Sequence, residues 1–405
     1  MKIQKCRNCN KKKLDFLFSL GKQSFTGKFP KKNKTIQKAP LEIIICKNCK
    51  LIQLAHRFNL KYLYGPDYGY RSNISKTMVN HLKKVVLNVT KKVKLKSGEL
   101  VLDIASNDAT LLKNYSKNII TFGIDPLINK YIKDYKKINY KISNFFSLRE
   151  IKKKTRKKFK IITALSVFYD LEKPNKFLSN IKKILDEEGI FVLEFADLVS
   201  ILKKKMFDTI CHEHLEYYSS KIIIDMCKDN GLKVIDISEN DINGSSKQFF
   251  ISHSKSTYII NVKKIKKILL EEKKMKITSK KTILKFFQEI NIIKFKLLKL
   301  IKKIKLKNQS IHGYGASTKG NVLLQYFGIG NNYLDYIAER NPKKYNLYTP
   351  GSNIKIISEK ESRDKKPNFY LVLPWHFKKE ILNREKKIRS KGVKFIFPLP
   401  KLKIY

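Results

Sequence analysis

The sequence predicts an α/β protein of three parts: an N-terminal four-cysteine module, a central Rossmann-like domain and a second Rossmann-like α/β domain at the C-terminus. Two CxxC pairs within the first 50 residues define the first part. Residues 100–125 and 310–338 define the other two, because each stretch has the pattern of strand, tight loop, helix and strand that builds parallel sheets. We expect the parts to span residues 1–75, 76–260, 261–308 (a helical linker) and 309–405.

The composition is strongly basic. Of 405 residues, 87 are Lys or Arg and 34 are Asp or Glu, which gives a formal net charge of +53. Such a charge favours binding to polyanions. The lysines, however, are spread along almost the whole chain, and no RNA-binding signature or arginine-rich arm accompanies them. We therefore expect solvated surface charge and weak non-specific binding, without a specific nucleic-acid partner.

The sequence contains no evident membrane or export signal. No apolar run approaches the roughly 20 residues of a membrane span, and the opening MKIQKCRNCN lacks the apolar region of a signal peptide. We expect no membrane association and a cytoplasmic location. There, six cysteines serve as metal ligands or free thiols rather than as disulfides.

The two CxxC pairs predict a structural zinc site. Cys6, Cys9, Cys46 and Cys49 provide four thiolates, which suit tetrahedral Zn²⁺ and leave no open coordination position. Four reduced, unligated thiols are the alternative. The tyrosine-rich residues 62–72 (YLYGPDYGYRS) follow and predict a rigid aromatic loop that closes over a ligand, with Tyr70 as a substrate contact. A loop packed between two domains is the alternative here.

Residues 100–125 (LVLDIASNDATLLKNYSKNIITFGID) predict a nucleotide-binding unit. A buried strand leads into a small polar loop, a helix from Leu111 and a second strand that ends at Asp125, which can accept two ribose hydroxyls. The loop is not GxGxxG. Asp103, with residues 106–108, therefore favours S-adenosylmethionine (SAM), which has no pyrophosphate to bind. A structural βαβ unit with an incidental acid is the alternative.

The alternation of strands and helices continues through the central domain. Phe145 follows the third predicted strand, where an aromatic ring could stack on adenine, and Ser166 follows the fourth. Five βα steps and a final strand pair match a SAM-methyltransferase fold better than a two-halved dinucleotide fold. The further strands are expected at residues 140–143, 160–165, 190–195, 231–237 and 247–252, with a helix at about 174–185.

Residues 207–219 (FDTICHEHLEYYS) contain two histidines that flank a carboxylate, namely His212, Glu213 and His214. An imidazole has an unperturbed pKa of about 6.5, and a neighbouring Glu can orient or poise it for proton transfer. The spacing is not HExxH, so a catalytic zinc is not expected. We interpret the segment as an acid–base centre. A polar surface turn is the alternative.

The C-terminal part begins after a Lys-rich stretch, residues 262–306, whose apolar spacing predicts one or two amphipathic helices. A membrane-surface helix is the alternative. The loop GYGASTKG then offers Gly315, Ser317 and Lys319 for binding an anion, unless it is a glycine-rich turn of a scaffold. Further strands are expected at residues 334–338, 354–357, 369–373 and 393–397, with Pro374-Trp375-His376 at the end of one.

Together these motifs resemble the SAM-dependent sugar C-methyltransferases, which act on nucleotide-linked keto-deoxy sugars. The resemblance covers nearly the whole chain, in order: CxxC…CxxC with LIQLAH, YGYRS, LVLDIASND with GIDP, FDTICHEHLEYY, GYGASTKGN and ERNPKK…YTPGS…LVLPW. It implies a zinc module, a SAM-binding middle domain and methylation of the carbon next to a ketone. It also implies that His214 removes the α proton, that Glu213 orients His214 and that His212 lies close by.

The resemblance and the motifs together give a set of expected ligand contacts. The expected contacts to SAM are Asp103, Ala105, Ser106, Asn107, Asp125, Phe145 and Ser166. The expected contacts to a nucleotide-sugar substrate are Tyr70, Gly315, Ser317 and Lys319, with its phosphates drawn to residues 313–320.

Four positions depart from the family pattern. Ala105 and Ala109 replace glycines, and alanine fits there without strain only if both positions keep a negative φ. Cys211 replaces a tyrosine and Asp170 a histidine, which leaves the identity of the substrate open. Three other interpretations stay open: a zinc-bearing nucleic-acid methyltransferase, an NAD-dependent enzyme that uses the GYGA loop, and a non-enzymatic scaffold. The sugar, the nucleotide, the methylated carbon and the oligomeric state are left open.

Overall fold

The computed structural model describes residues 1–32, 34–65 and 68–405, which form three sheets with surrounding helices. Pro66 and Asp67 of the expected aromatic loop lie outside the described residues. In chain order the strands are β1 (Leu14–Ser24), β2 (Lys38–Cys46), β3 (Ile52–Leu54), β4 (Leu100–Ile104), β5 (Ile120–Ile124), β6 (Tyr140–Ile142), β7 (Phe159–Leu165), β8 (Leu185–Phe195), β9 (Glu216–Tyr217), β10 (Leu232–Asn240), β11 (Ser246–His253), β12 (Ile311–Tyr314), β13 (Ile337–Glu339), β14 (Ile356–Ser358), β15 (Phe369–Val372), β16 (Lys394–Phe397) and β17 (Lys403–Ile404).

Helices occupy the connections between these strands. They are α1 (Leu60–Leu63), α2 (Lys76–Lys92), α3 (Leu148–Lys152), α4 (Pro174–Ile184), α5 (Leu198–Lys204), α6 (Ser220–Asp229), α7 (Val262–Met275), α8 (Lys280–Leu306), α9 (Thr318–Phe327), α10 (Glu359–Asp364), α11 (Lys378–Arg384) and α12 (Lys386–Arg389). Within the described residues, the helices are all too short or too polar to cross a lipid bilayer.

The first sheet is antiparallel, with the strand order β1-β2-β3-β9. Its last strand comes from the segment that contains the two histidines, and Tyr217 of β9 lies opposite Ile52 of β3. A strand of two residues has too little length to show a period of two in the sequence. The pairing was therefore not predicted, and it attaches residues 207–219 to the four-cysteine module.

The second sheet has the order β10-β11-β8-β7-β4-β5-β6. The five strands β4 to β8 are parallel. At one edge, β11 pairs antiparallel with β8, and β10 pairs antiparallel with β11. The predicted five strands and final pair are confirmed. The chain turns outward on both sides of β4, so a crevice opens at the carboxyl ends of β4 and β7, where open α/β sheets bind ligands.

The helix predicted from Leu111 is wrong. The structure has only a 3₁₀ turn, Leu112–Asn114, between β4 and β5. The side-chain amide of Asn114 donates to the carbonyl oxygens of Thr110 and Leu111, at 2.8 and 3.1 Å. Because this side chain binds the carbonyls that a longer helix would use, the segment ends after one turn.

The third sheet has the order β14-β13-β12-β15-β16-β17, parallel except for β17. Its strand order reverses between β12 and β15. The loop after β12 is the GYGA loop and the loop after β15 contains Pro374-Trp375-His376, so the two loops meet at one end of the sheet.

The Lys-rich stretch forms the two helices α7 and α8. Helix α8 buries one apolar stripe, and its Phe287 stacks on Phe18 of β1 with ring centroids 4.5 Å apart. Residues of the first sheet, α5, α8 and the third sheet belong to one continuous apolar core. The first and last parts of the chain therefore pack together, although about 300 residues separate them.

Candidate active site

The four cysteines of the N-terminal module converge on one point. Their sulfur atoms all lie within 4.8 Å of one another, with Cys6 Sγ and Cys49 Sγ 3.6 Å apart and Cys9 Sγ and Cys46 Sγ 3.5 Å apart. A tetrahedral zinc ion with Zn–S bonds of about 2.3 Å separates its sulfur ligands by about 3.8 Å. The cluster therefore fits Zn²⁺ and offers it no open coordination position.

The acids predicted to bind SAM lie side by side at the carboxyl ends of β4 and β5. Asp103 is buried and accepts a hydrogen bond from Thr163 Oγ1 at 2.6 Å, and burial raises its pKa to about 7. Asp125 accepts the N–H groups of Asn107 and Leu127, one on each carboxylate oxygen, at 3.0 and 2.7 Å. Each oxygen keeps a lone pair for a ribose hydroxyl. Burial also raises the pKa of Asp125 to about 6.

The loop after β4 is held from two sides. Ser106 Oγ lies 2.7 Å from the hydroxyl of Tyr135, beneath the loop. From the other side, the N–H of Ser72 donates to Asn107 Oδ1 at 3.1 Å, and the guanidinium of Arg71 lies 3.4 Å from Asp108 Oδ2. The end of the aromatic loop and the predicted SAM loop are thus one hydrogen-bonded unit.

Ala105 and Ala109 do not meet the condition of a negative φ. Both have φ of +59°, which is the left-handed region. The hydrogen bonds around the loop hold it in this conformation, so the two alanines adopt it at a steric cost that glycine does not incur.

The two remaining residues expected at SAM follow two parallel strands of the second sheet. Phe145 is half-buried and is the third residue after β6. Ser166 comes directly after β7 with φ of +55°, and its hydroxyl accepts a hydrogen bond from Asn243 Nδ2 at 3.4 Å. Contact of either residue with the cofactor stays a prediction.

His214 is held as a neutral base. Its Nδ1 lies 2.7 Å from the carbonyl oxygen of Thr209, which can only accept, so Nδ1 carries the proton and Nε2 is free to take one. Its ring packs against Tyr169 with centroids 4.1 Å apart. Burial, with a smaller contribution from the charge of Lys319, lowers the pKa of His214 to about 3.

The expected roles of the two residues before His214 need correction. Glu213 does not orient His214, because neither of its carboxylate oxygens has a hydrogen-bond partner among the described residues, and the carbonyl of Thr209 orients the ring instead. The ring of His212 lies edge-on between Phe25 and Phe58, and its Nε2 lies 3.0 Å from a backbone oxygen of β2. Because the segment is an irregular turn, three successive side chains point into three environments, and His212 belongs to the core of the first module.

Glu213 and Asp170 place unpaired oxygen atoms in a buried site. Asp170 accepts a hydrogen bond from the hydroxyl of Tyr64 at 2.6 Å through Oδ2, and its Oδ1 lacks a partner in the described part of the chain. The carboxylate of Glu213 has no hydrogen bond of full geometry there, but the thiol of Cys211, the hydroxyl of Thr26 and the N–H of Gly27 lie close enough to lower its pKa against the larger effect of burial. Burial raises the pKa of both carboxyl groups. Unpaired buried acceptors cost free energy, so this site favours a ligand that supplies O–H or N–H donors.

A cavity of about 220 Å³ lies between the aromatic loop and the C-terminal domain. Tyr70, Gly315 and Ser317, which were predicted separately as substrate contacts, all line it, together with Arg71 and Arg340. The structure thus brings these residues together. The lining carries charges of both signs, because Glu339, Glu359 and Glu380 lie there beside the basic side chains and Arg340 pairs with Glu380.

Lys319 does not point into this cavity. Its ammonium group donates to the carbonyl oxygen of Asn243 at 2.7 Å, in the turn between β10 and β11 of the central domain. Contact of Lys319 with phosphate stays a prediction. Lys319 is the second residue of α9, and its ammonium group reaches the central domain instead of the cavity lining.

Comparison with known proteins gives the same three parts. Residues 6–64 match the family model described as "Putative zinc binding domain", residues 77–237 match "Methyltransferase domain" and residues 241–400 match "C-methyltransferase C-terminal domain". The chain is also 26% identical over 368 residues to C-methyltransferase NovU of Streptomyces niveus, across 90% of this chain and 87% of that protein. The chain is a SAM-dependent methyltransferase, and its three parts are similar to the domains of C-methyltransferases.

Similar solved structures cover a smaller part of this methyltransferase. A SAM-dependent methyltransferase from Clostridium acetobutylicum has 11% identity and a TM-score of 0.36 over 43% of this chain and 92% of its own. The magnesium protoporphyrin IX methyltransferase of Synechocystis with bound S-adenosylhomocysteine has 17% identity and a TM-score of 0.34 over 48% and 93%.

The methyltransferase site contains residues that the sequence did not single out. Thr209 orients His214, and Trp375 Nε1 donates to Asp208 Oδ2 at 2.8 Å, which joins the C-terminal domain to the histidine segment. Neither residue belongs to a motif with a known spacing. Pro374-Trp375-His376 was noted only for its position after a strand, and its contact with residue 208 spans more than 160 residues.

Proposed function

We propose that this methyltransferase transfers the methyl group of SAM to the carbon next to a ketone in a nucleotide-linked deoxysugar. The observation that carries the proposal is His214, a base whose Nδ1 carries the proton because it is fixed by the carbonyl oxygen of Thr209, which leaves Nε2 to accept a proton. SAM, when bound, supplies the methyl group. His214 would accept the α proton at Nε2, and the ketone would become an enolate whose carbon is nucleophilic.

The polar groups around His214 suit a sugar. Asp170 Oδ1 and the two oxygens of Glu213 offer acceptors for ring hydroxyl or amino groups of the substrate. Only a substrate with several donors relieves all of these unpaired oxygens at once. A purely apolar acceptor would leave them buried and unsatisfied, which disfavours it by roughly 1–3 kcal/mol for each lost hydrogen bond.

The charged cavity suits the nucleotide portion. It lies where the strand order of the third sheet reverses, and Arg71 and Arg340 line it beside the backbone of the GYGA loop. Guanidinium groups and loop N–H groups are common partners of a diphosphate. We propose that Tyr70, Gly315 and Ser317 contact this portion of the substrate.

Binding is the first property to measure. Calorimetric titration with S-adenosylhomocysteine and then with dTDP in the same cell tests whether both portions bind one protein. We expect both to bind, in either order. If S-adenosylhomocysteine does not bind, the cofactor site is not functional and the proposal is wrong.

Turnover tests the chemistry. We expect the protein to methylate dTDP-4-keto-6-deoxyglucose or its 2-deoxy counterpart with SAM, and His214→Asn to lower kcat by at least about 100-fold, since general-base catalysis contributes about 10²–10⁴-fold. His253→Asn is the matched control, because His253 also bonds a backbone oxygen, at 3.1 Å from Leu185, but lies at the far end of β11. Equal loss in both variants would contradict a base role for His214.

A further inference from the structure

The position of Lys319 is unexplained by the proposed binding sites. It is the second residue of α9, in the C-terminal domain, yet its ammonium group donates to Asn243 of the central domain. Asn243 in turn donates to Ser166, at the edge where SAM is expected. An ammonium group has three N–H donors, and Asn243 accepts one of them. Lys319 therefore stands at the junction of the two domains with donors to spare.

Lys319 lies near the segment that holds His214, the proposed base. Asp208 is fully buried, accepts from Trp375 through Oδ2 and has no partner for Oδ1 within the described residues. The next residue, Thr209, holds His214. Burial raises the pKa of Asp208 and lowers that of His214, and the charge of Lys319 lowers both. The ammonium group is thus close enough to Asp208 and to His214 to act on each.

We propose that Lys319 is a further catalytic residue, whose ammonium group stabilises the oxyanion that forms on the substrate ketone when His214 removes the α proton. This inference rests on the proposed function. In the step, the C–H bond breaks and its proton moves to Nε2 of His214. The C–H electron pair forms the carbon–carbon double bond, and the carbonyl π electrons move to the oxygen. The electron pair of the carbon–carbon double bond would then form the bond to the methyl carbon, while the S–CH3 bond of SAM would break with its electron pair left on sulfur, which gives S-adenosylhomocysteine. The oxygen lone pair forms the ketone again, and the proton on His214 leaves to solvent.

The charge balance of that step favours a cation at this position. In the free protein, Lys319 helps to keep His214 unprotonated and ready to accept a proton. After proton transfer, an anionic oxygen between the ammonium and the imidazolium stabilises both cations. A fixed, buried donor aimed at developing negative charge contributes most where water is excluded. Lys319 does not line the cavity beside the GYGA loop, whose basic groups include Arg71 and Arg340.

Kinetics of Lys319→Met and Lys319→Arg test the inference. With dTDP-4-keto-6-deoxyglucose or its 2-deoxy counterpart and SAM, we expect Lys319→Met to lower kcat by about 100-fold, the scale of one lost oxyanion donor, and Lys319→Arg to recover part of it. Exchange of the substrate α proton in D₂O, with S-adenosylhomocysteine bound, should slow by the same factor. The affinity for dTDP should not change.

A matched control and a pH profile separate catalysis from structure. Lys294→Met removes another lysine that donates to a backbone carbonyl, that of Tyr326 at 2.7 Å, away from the site, and should leave kcat unchanged. Removing the charge of Lys319 raises the pKa of His214, so the acidic limb of the kcat profile should move to higher pH in Lys319→Met. Fluorescence of the single tryptophan checks folding. If Lys319→Met does not fold, Lys319→Gln takes its place in the measurements.

Three outcomes would overturn the inference. If Lys319→Met weakens dTDP binding while kcat and the rate of proton exchange stay at wild-type values, Lys319 is a phosphate contact. If the dTDP affinity, kcat and the rate of proton exchange all stay at wild-type values, Lys319 has a structural role only. If the wild-type protein neither exchanges the α proton nor methylates either keto sugar, the proposed function itself fails, and the inference falls with it.

Discussion

Ala105 and Ala109 adopt a backbone conformation that normally belongs to glycine. Both have φ of +59° in the loop after β4, where related sequences are expected to have glycine. A left-handed conformation costs an L-residue roughly 1–2 kcal/mol, and the greater freedom of glycine in the unfolded chain offsets about 0.5–1 kcal/mol of that. The loop therefore keeps its shape because its hydrogen bonds outweigh the strain.

Restoring glycine should stabilise the protein. We expect Ala105→Gly to raise the free energy of unfolding by about 0.5–1 kcal/mol, and the affinity for S-adenosylhomocysteine to stay the same or increase. Urea unfolding measures the first quantity and calorimetry the second. Ala196→Gly, at a position whose φ is not positive, should instead destabilise. Destabilisation by both substitutions would show that the loop is not strained.

Asp125 predicts how cofactor binding depends on pH. Burial raises the pKa of this carboxyl group to about 6, and the ionised form is the better acceptor for ribose hydroxyls. As the pH falls through 6, protonation removes that form, so we expect the affinity for S-adenosylhomocysteine to fall by about tenfold per pH unit below 6. Titrations between pH 5 and 8 test this.

Asp125→Asn is the control for the pH effect. This variant should bind S-adenosylhomocysteine more weakly at every pH, and its affinity should not change near pH 6. Asp103, with its pKa raised to about 7, is the other acid at the site. If the pH dependence stays the same in Asp125→Asn, Asp103 is its source and the assignment to Asp125 is wrong.

At the scale of elements, the zinc cluster supports more than its own module. Cys46 ends β2, β2 pairs with β3, and β3 pairs with β9 of the histidine segment. We expect Cys46→Ser to abolish stoichiometric zinc binding, to lower the urea midpoint and to reduce methyl transfer, because disorder of the first sheet reaches residues 207–219 through β9.

Cys227→Ala provides the matched comparison for zinc. Cys227 is equally buried but lies in α6, outside the cluster. Its replacement should leave the zinc content at about one ion per chain, as measured by atomic absorption. Full zinc content in Cys46→Ser would show that the four cysteines are not the ligands.

Long apolar strands and paired CxxC motifs were predictable because they are local patterns. The central strands of the second sheet have continuous runs of buried residues: β4 is buried at all five positions and β11 at its first seven. The turn at Leu112–Asn114 was not predictable in this way, since a single side chain, Asn114, decides it. The directions in which the side chains of residues 212–214 point depend on packing against the distant N-terminal module, and the spacing of residues in the sequence does not reveal that packing.

At the scale of the whole molecule, the site is assembled from three distant parts of the chain. Tyr64 comes from the N-terminal part, His214 from the central domain and Lys319 from the C-terminal domain. The sequence predicted each part and left their arrangement open, because contacts across 100 to 300 residues follow from shared core packing. The boundaries at residues 75, 260 and 308 stay predictions.

The net charge of +53 leads to the last prediction. Ion pairs with exposed lysines occur on the N-terminal part, as with Lys47, and on the central domain, as with Lys153 and Lys221, so the positive charge is not gathered at the methyltransferase site. We expect duplex DNA to bind weakly at 50 mM salt and to dissociate by 0.3 M, since a protein that contacts 6–10 phosphates loses about 10³–10⁵-fold in affinity between 50 and 200 mM.

Methyl transfer to the keto sugar distinguishes surface charge from function. Because the reacting groups are buried and the lysines are spread over the surface, a tenfold excess of duplex DNA should lower kcat/KM at 50 mM salt only slightly, and not at all at 0.3 M. Binding is followed by fluorescence anisotropy and transfer by a radiolabelled methyl group. If DNA or RNA becomes labelled, or if binding persists at 0.5 M salt, nucleic acid is a substrate or a specific partner. In that case the positive charge belongs to the function of the protein, and the sugar assignment fails.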